Sequence, residues 1–227
     1  MLDYKYLLLD ADGTFLDFPP CEEIAVSHLL SYLNVEQSDF YHESWSKINK
    51  ATWTLLEEGK ITITELRTKR VKDFLEFHNI NKDVESVKNL FEDKLSENGI
   101  LFAGAYEFLS KLSQDYTLVL ITNGISKVQH GRLKSSDTAA FFSSLFISEE
   151  IGYSKPDINY FKTVLETLGC RAEDCLVIGD SVAADIAGAT KAGIDSLYLH
   201  LNTAKKEAEC TYDASSYKAA LDIIYAN

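Results

Sequence analysis

From Phe102 onward, short apolar runs alternate with helix-patterned stretches. That rhythm limits the possible fold more than any other feature of the chain. Thr117–Ile121, Leu145–Ser148, Cys175–Ile178 and Leu197–Leu201 read as strands, and Ala105–Leu112, Lys127–Lys134, Ile158–Leu168, Ala183–Lys191 and Ser215–Tyr225 as helices. Strands separated by helices pair in parallel, because a parallel neighbour needs a crossover long enough to hold a helix. The expected fold class is therefore α/β, with a doubly wound, Rossmann-like parallel sheet as its core. A further strand, Lys5–Asp10, belongs to the same sheet.

Between that first strand and Phe102 the strand character disappears. Asp17-Phe18-Pro19-Pro20 reads as a stiff break. Ile24, Leu29, Leu30 and Leu33 then mark an amphipathic helix, followed by helices over Phe40–Leu56, Leu66–Phe77 and Val84–Leu95. Thr62 or Thr64 is placed to cap the third helix and Asp83 the fourth, with Asn98-Gly99 ending the block. The expected organisation is an α/β core from residues 1–17 and 98–227 and an inserted all-helical cap over 18–97.

The net charge of −13 argues against a polymeric nucleic acid partner, since phosphate backbones attract basic surfaces. A small anion needs only one local positive pocket. Cys21, Cys170, Cys175 and Cys210 form no Cys-x-x-Cys pair, and the five histidines lie apart, which disfavours disulfide staples and a histidine-based metal site. Neither a leader-like start nor a membrane-length apolar run is present, so a cytoplasmic protein without membrane contact is expected.

Chemistry concentrates where the strands end. Tyr6-Leu7-Leu8-Leu9 runs into Asp10-Ala11-Asp12-Gly13-Thr14, two carboxylates at a strand terminus followed by a glycine turn. Alone, Asp-Gly could simply close a hairpin. The second strand ends in Thr122-Asn123-Gly124, which offers a hydroxyl, an amide and, through Ser126, a capped helix start suited to phosphate. Here too an Asn-Gly turn is the plain alternative. Past the third strand, Pro156 holds Lys155 extended. The fourth delivers Gly179-Asp180-Ser181, with Asp185 in the following first helical turn, where an acid is also favoured by the helix dipole. In a parallel sheet these ends share one edge. Several carboxylates without imidazole suit Mg²⁺. A cation, a lysine and a helix start together suit a phosphoryl group.

These motifs, in this order, resemble the haloacid dehalogenase-like hydrolase superfamily over Lys5–Leu16 and Phe102 to about Leu201, and the helical insertion resembles its first cap class. The run Phe146-Ile147-Ser148-Glu149-Glu150-Ile151-Gly152 is similar to the pyrimidine 5′-nucleotidase branch. The resemblance implies an Mg²⁺-dependent phosphatase acting through an aspartyl-phosphate. Asp10 would be the nucleophile and Asp12 the general acid and base, its pKa raised by its neighbours. Thr122, Asn123 and Lys155 would bind the phosphate, and Asp10, the Asp12 carbonyl, Asp180 and Asp185 would hold the metal. The implied partner is a small phosphorylated metabolite, with a pyrimidine nucleoside monophosphate first.

A sugar-phosphate phosphatase or phosphomutase would use the same core residues. A non-enzymatic phospho-accepting module would not need Asp12, and neither would a dehalogenase, which has no alkoxide to protonate. Within the cap, Tyr41 and Trp45 lie four apart and could stack on a flat base, whereas Phe40 and Trp53 are expected to pack the interior.

Overall fold

The computed structural model describes residues 1–201 and 207–226. Its strands are β1 (Tyr6–Leu9), β2 (Thr117–Thr122), β3 (Phe142–Ile147), β4 (Cys175–Gly179), β5 (Asp195–Leu199) and β6 (Tyr212–Ala214). They form one six-stranded sheet in the order β3-β2-β1-β4-β5-β6, with every pairing parallel. The fold class is the expected α/β. The helices are α1 (Phe18–Leu33), α2 (Asp39–Glu57), α3 (Ile63–Phe77), α4 (Val84–Ser96), α5 (Ala105–Leu112), α6 (Ser126–Ser135), α7 (Ser148–Ile151), α8 (Ile158–Leu168), α9 (Ala187–Ala192) and α10 (Tyr217–Ile224). Among the described residues no helix is long and apolar enough to cross a membrane.

β1 lies inside the sheet, with Leu9 opposite Leu120 of β2 and Ile178 of β4. Its four residues are buried on both faces, which explains the unbroken apolar run. Tyr6, Leu8, Val119, Ile121, Cys175 and Val177 pack against Tyr160, Phe161 and Val164 of α8. The alternate residues Leu7, Leu9, Leu118, Leu120, Leu176 and Ile178 are buried as well.

Two compact units emerge. One holds residues 1–17, 100–126 and 136–227, and the other holds 18–99 with 127–135. Most of α6 thus groups with the helical insertion, although it follows directly from β2. Thr62 forms a reciprocal capping box with Glu65, and the Asp83 carboxylate accepts from the Ser86 N–H at 2.8 Å, as the cap signals suggest. The Pro19-Pro20 pair does not break the chain. It occupies the first turn of α1, where missing amide donors cost nothing.

The interior of the helical unit is partly polar. Glu92 of α4 is fully buried and takes Arg67 of α3 in a fork, Nε to Oε1 at 2.8 Å and Nη2 to Oε2 at 2.6 Å. Buried Arg70 lies 3.5 Å from the same carboxylate and donates to Asn49 Oδ1 of α2 at 3.2 Å. Asn49 in turn donates to Glu22 of α1 at 2.6 Å. Hydrogen bonds and the Arg70–Glu92 ion pair therefore link all four helices in one polar network.

Two of the aromatic assignments in this unit, those of Trp45 and Phe40, reverse. Trp45 is fully buried, 4.4 Å from the Phe91 ring and 5.2 Å from Phe74, while Phe40 is exposed. Tyr41 and Trp45 do share a helix face, but it is the inward one: both reach Phe74. Trp45 is thus a core residue, unavailable for stacking on a base. Trp45→Ala should destabilise the helical unit by about 3–5 kcal/mol. Urea unfolding followed by circular dichroism would show this as an earlier transition, and an unchanged transition would place Trp45 outside the core.

Candidate active site

Asp10 follows β1 and continues its ladder, its N–H donating to the Ile178 carbonyl at 2.9 Å. Parallel pairing places the ends of β2 and β4 on either side of it. The site is therefore a consequence of register: three neighbouring strands stop together, and the polar residues come just after the stop.

Lys155 organises the site. It is 2 % exposed, and its ammonium donates to Asp10 Oδ1 at 2.6 Å, Asp185 Oδ1 at 2.7 Å and the Ile121 carbonyl at 2.9 Å. An ammonium has three protons, and these three acceptors use them all. Burial works against its charge, but Asp10 and Asp185 outweigh burial and hold the amine above the ordinary lysine range.

Asp185 is fully buried rather than a surface acid at a helix start. The segment expected as one helix opens with a π-helical turn, Val182–Ile186, before α9 begins. This wider turn brings Asp185 back toward the sheet, where its Oδ2 accepts the Ser181 N–H at 3.0 Å. A Cβ on Gly179 would stand 2.3 Å from that same oxygen, so only glycine leaves room for the carboxylate. Gly13 does the same for Asp180. Its φ is +84°, and a Cβ there would come within 2.3 Å of Asp180 Oδ2.

The carboxylates of Asp10, Asp180 and Asp185 bring oxygens within 4.8 Å of one another. With Lys155 present, three ionised acids would still leave the cluster net negative. Burial first, then the neighbouring acids, push Asp10 well above the usual carboxylate range against the pull of Lys155. Burial and Asp185 push Asp180 up to about 7. Clustered hard oxygen donors, no imidazole and an excess of negative charge fit a hard divalent cation such as Mg²⁺. Asp12 lies half-buried two residues after Asp10 and contributes no carboxylate to this trio.

Thr122 is buried at the end of β2. Asn123 comes next, and both polar atoms of its side chain engage Lys155: Nδ2 donates to the Lys155 carbonyl at 2.8 Å and Oδ1 accepts the Lys155 N–H at 2.7 Å. Ser126 does not cap its own helix. As the first residue of α6, its N–H donates to Glu149 at 2.7 Å, so an internal carboxylate takes a donor that the sequence reading reserved for phosphate. Pro156 follows Lys155 through a cis peptide bond, and α8 begins only after Asp157, whose side chain accepts the Asn159 N–H. Sequence reasoning missed the Ile121 carbonyl and the clearance roles of Gly13 and Gly179. The glycines carried a signal, since each sits beside one of the acids.

A haloacid dehalogenase-like hydrolase family model matches residues 7–199. The chain belongs to that family. The pyrimidine 5′-nucleotidase PynA of Streptococcus pneumoniae is 35 % identical over 99 % of this chain and 96 % of its own length. The pyrimidine 5′-nucleotidase YjjG of Escherichia coli is 26 % identical over 88 % of this chain and 87 % of its own. A magnesium-bound crystal structure of the putative hydrolase YfnB of Bacillus subtilis superimposes with a TM-score of 0.90 at 32 % identity, covering 98 % of this chain and 99 % of that one. The defluorinating L-2-haloacid dehalogenase Rha0230 shares the fold alone, with a TM-score of 0.81 at 14 % identity over 98 % of this chain and 96 % of that one.

Both glycine contacts can be tested by adding one methyl group. Gly179→Ala should cost about 1–3 kcal/mol by overpacking against Asp185. Gly13→Ala should cost about 1 kcal/mol more than that, because its left-handed backbone adds strain. Denaturant midpoints equal to wild type for both would refute the contacts.

Proposed function

We propose that this protein is a phosphoric monoester hydrolase that works through a phosphorylated Asp10, with pyrimidine nucleoside monophosphates as its preferred substrates. The observation that carries the reading is Asp10 itself: a carboxylate at the end of an interior strand, bonded to a buried lysine and crowded by two further acids. The preference for pyrimidines draws support from the relatives that bear that activity in their names.

In this mechanism Thr122 holds a phosphate oxygen at the end of β2, and the Lys155 ammonium, its protons engaged by Asp10, Asp185 and Ile121 until phosphate arrives, attracts the phosphate by its charge and exchanges one of these acceptors for a phosphate oxygen, with Asn123 beside them. An Asp10 oxygen attacks phosphorus, the P–O bond to the alcohol breaks, and Asp12 gives its proton to the leaving alkoxide. Asp12 then takes a proton from water, the water oxygen attacks the same phosphorus, and the acyl-phosphate bond breaks to release phosphate and restore Asp10. Asp10, the Asp12 carbonyl, Asp180 and Asp185 would hold Mg²⁺, which when bound supplies charge neutralisation for the phosphoryl group. Lys155 contributes the protein's own share of that neutralisation while keeping Asp10 and Asp185 in place.

Asp10→Asn should abolish turnover with the fold retained. Asp12→Asn should slow nucleoside monophosphates far more than nitrophenyl phosphate, whose leaving group needs little protonation. Equal losses on the two substrates would remove Asp12 from the acid role.

Specificity is decided by kcat/KM across a panel of nucleoside monophosphates and hexose phosphates with Mg²⁺. Uridine and thymidine monophosphates should lead. A tenfold lead for purine nucleotides or hexose phosphates, about 1.4 kcal/mol of transition-state preference, would leave only the general phosphatase reading. Excess chelator should silence every substrate.

A further inference from the structure

We infer that Asn123 is a positioning residue: its carboxamide fixes the main chain of Lys155 and so sets where the ammonium stands. Lys155 lies between α7 and α8 in a stretch with neither helix nor strand bonding. No ladder partner takes its N–H or its carbonyl, and both groups bond to Asn123, at 2.7 and 2.8 Å. The far end of the same residue is tied to the same strand, with Nζ donating to the carbonyl of Ile121 at 2.9 Å. The end of β2 and the residue after it therefore grip Lys155 at both ends, through Ile121 and Asn123. The stem between has four rotatable bonds, so the ammonium can serve Asp10 and Asp185 together only if its backbone anchor is fixed.

The side-chain chemistry is restrictive. Only a carboxamide both donates and accepts at this reach. Aspartate could accept the Lys155 N–H but not donate to its carbonyl, and alanine could do neither. One of the two Asn123 amide protons is spent on Lys155, and the other is the donor left for phosphate.

The catalytic consequence rests on the phosphatase reading above, so the test pairs a kinetic arm with an activity-free arm. In the first, Asn123→Ala should lower kcat on nitrophenyl phosphate by about tenfold or more with little change in KM, the signature of a displaced reacting group. In a Lys155→Ala background the same change should add less than about twofold, because the two residues act as one unit. Losses that multiply in the double variant would show Asn123 acting on substrate directly and would overturn the inference.

In the second arm, amide hydrogen exchange at Lys155 is followed by ¹⁵N NMR. Asn123→Ala should accelerate exchange by about tenfold, the scale of one lost hydrogen bond, with other β2 amides unchanged. Asn123→Asp keeps the accepting oxygen and should leave the Lys155 amide protected. Loss of protection in both variants, or in neither, would refute the clamp. A wild-type protein inactive on every phosphomonoester would sink the phosphatase reading alone, since the exchange arm would still decide the clamp.

Discussion

The buried ammonium of Lys155 is the interaction on which the rest of the site depends. An isolated charge in a protein interior costs several kcal/mol, and this one is tolerated because two carboxylates and a carbonyl surround it. The dependence is mutual: without the lysine, Asp10 and Asp185 would lose the countercharge that both contact. Every other device nearby serves this contact. The π-helical turn swings Asp185 inward, Gly179 clears a place for it, and Asn123 holds the lysine's backbone.

The site nonetheless remains short of positive charge. One ammonium cannot balance Asp10, Asp180 and Asp185, and burial first, with the neighbouring acids adding to it, pushes Asp10 and Asp180 upward. A buried cluster of hard oxygen donors with an excess of negative charge fits a hard divalent cation. Rigidity matters for the same reason. Preorganised groups need no rearrangement when charge develops, and Asp10 and Asp180 follow β1 and β4, strands buried along their whole length.

The helical unit follows another logic. Its core holds a continuous polar chain from Glu22 through Asn49 and Arg70 to Glu92 and Arg67, alongside the Trp45–Phe74–Phe91 cluster. Apolar side chains of similar shape can exchange places among helices, whereas a bonded polar chain cannot. Its cost is desolvation of several charged groups, and its return is one defined arrangement of four helices.

Periodicity and motif order determined the α/β class, the parallel sheet, the helical insertion, the caps at Thr62 and Asp83, and the strand-end positions of Asp10, Thr122 and Asp180, because each depends on residues adjacent in sequence. The chemical nature of the acid cluster was legible too, since a parallel sheet brings strand termini to one edge whatever its strand order. Other features were decided only in three dimensions. Trp45 and Phe40 exchanged their expected places because helical spacing names a face and not what covers it. The π-helical turn was invisible because the residue it carries inward, Asp185, meets a partner, Lys155, thirty positions away. Asn123 and Ser126 found carbonyl, amide and carboxylate partners on distant segments that their local sequence did not name. Hydrogen-bond partners are chosen by proximity in the folded chain, and proximity between residues 123 and 155 is a property of the sheet rather than of either segment.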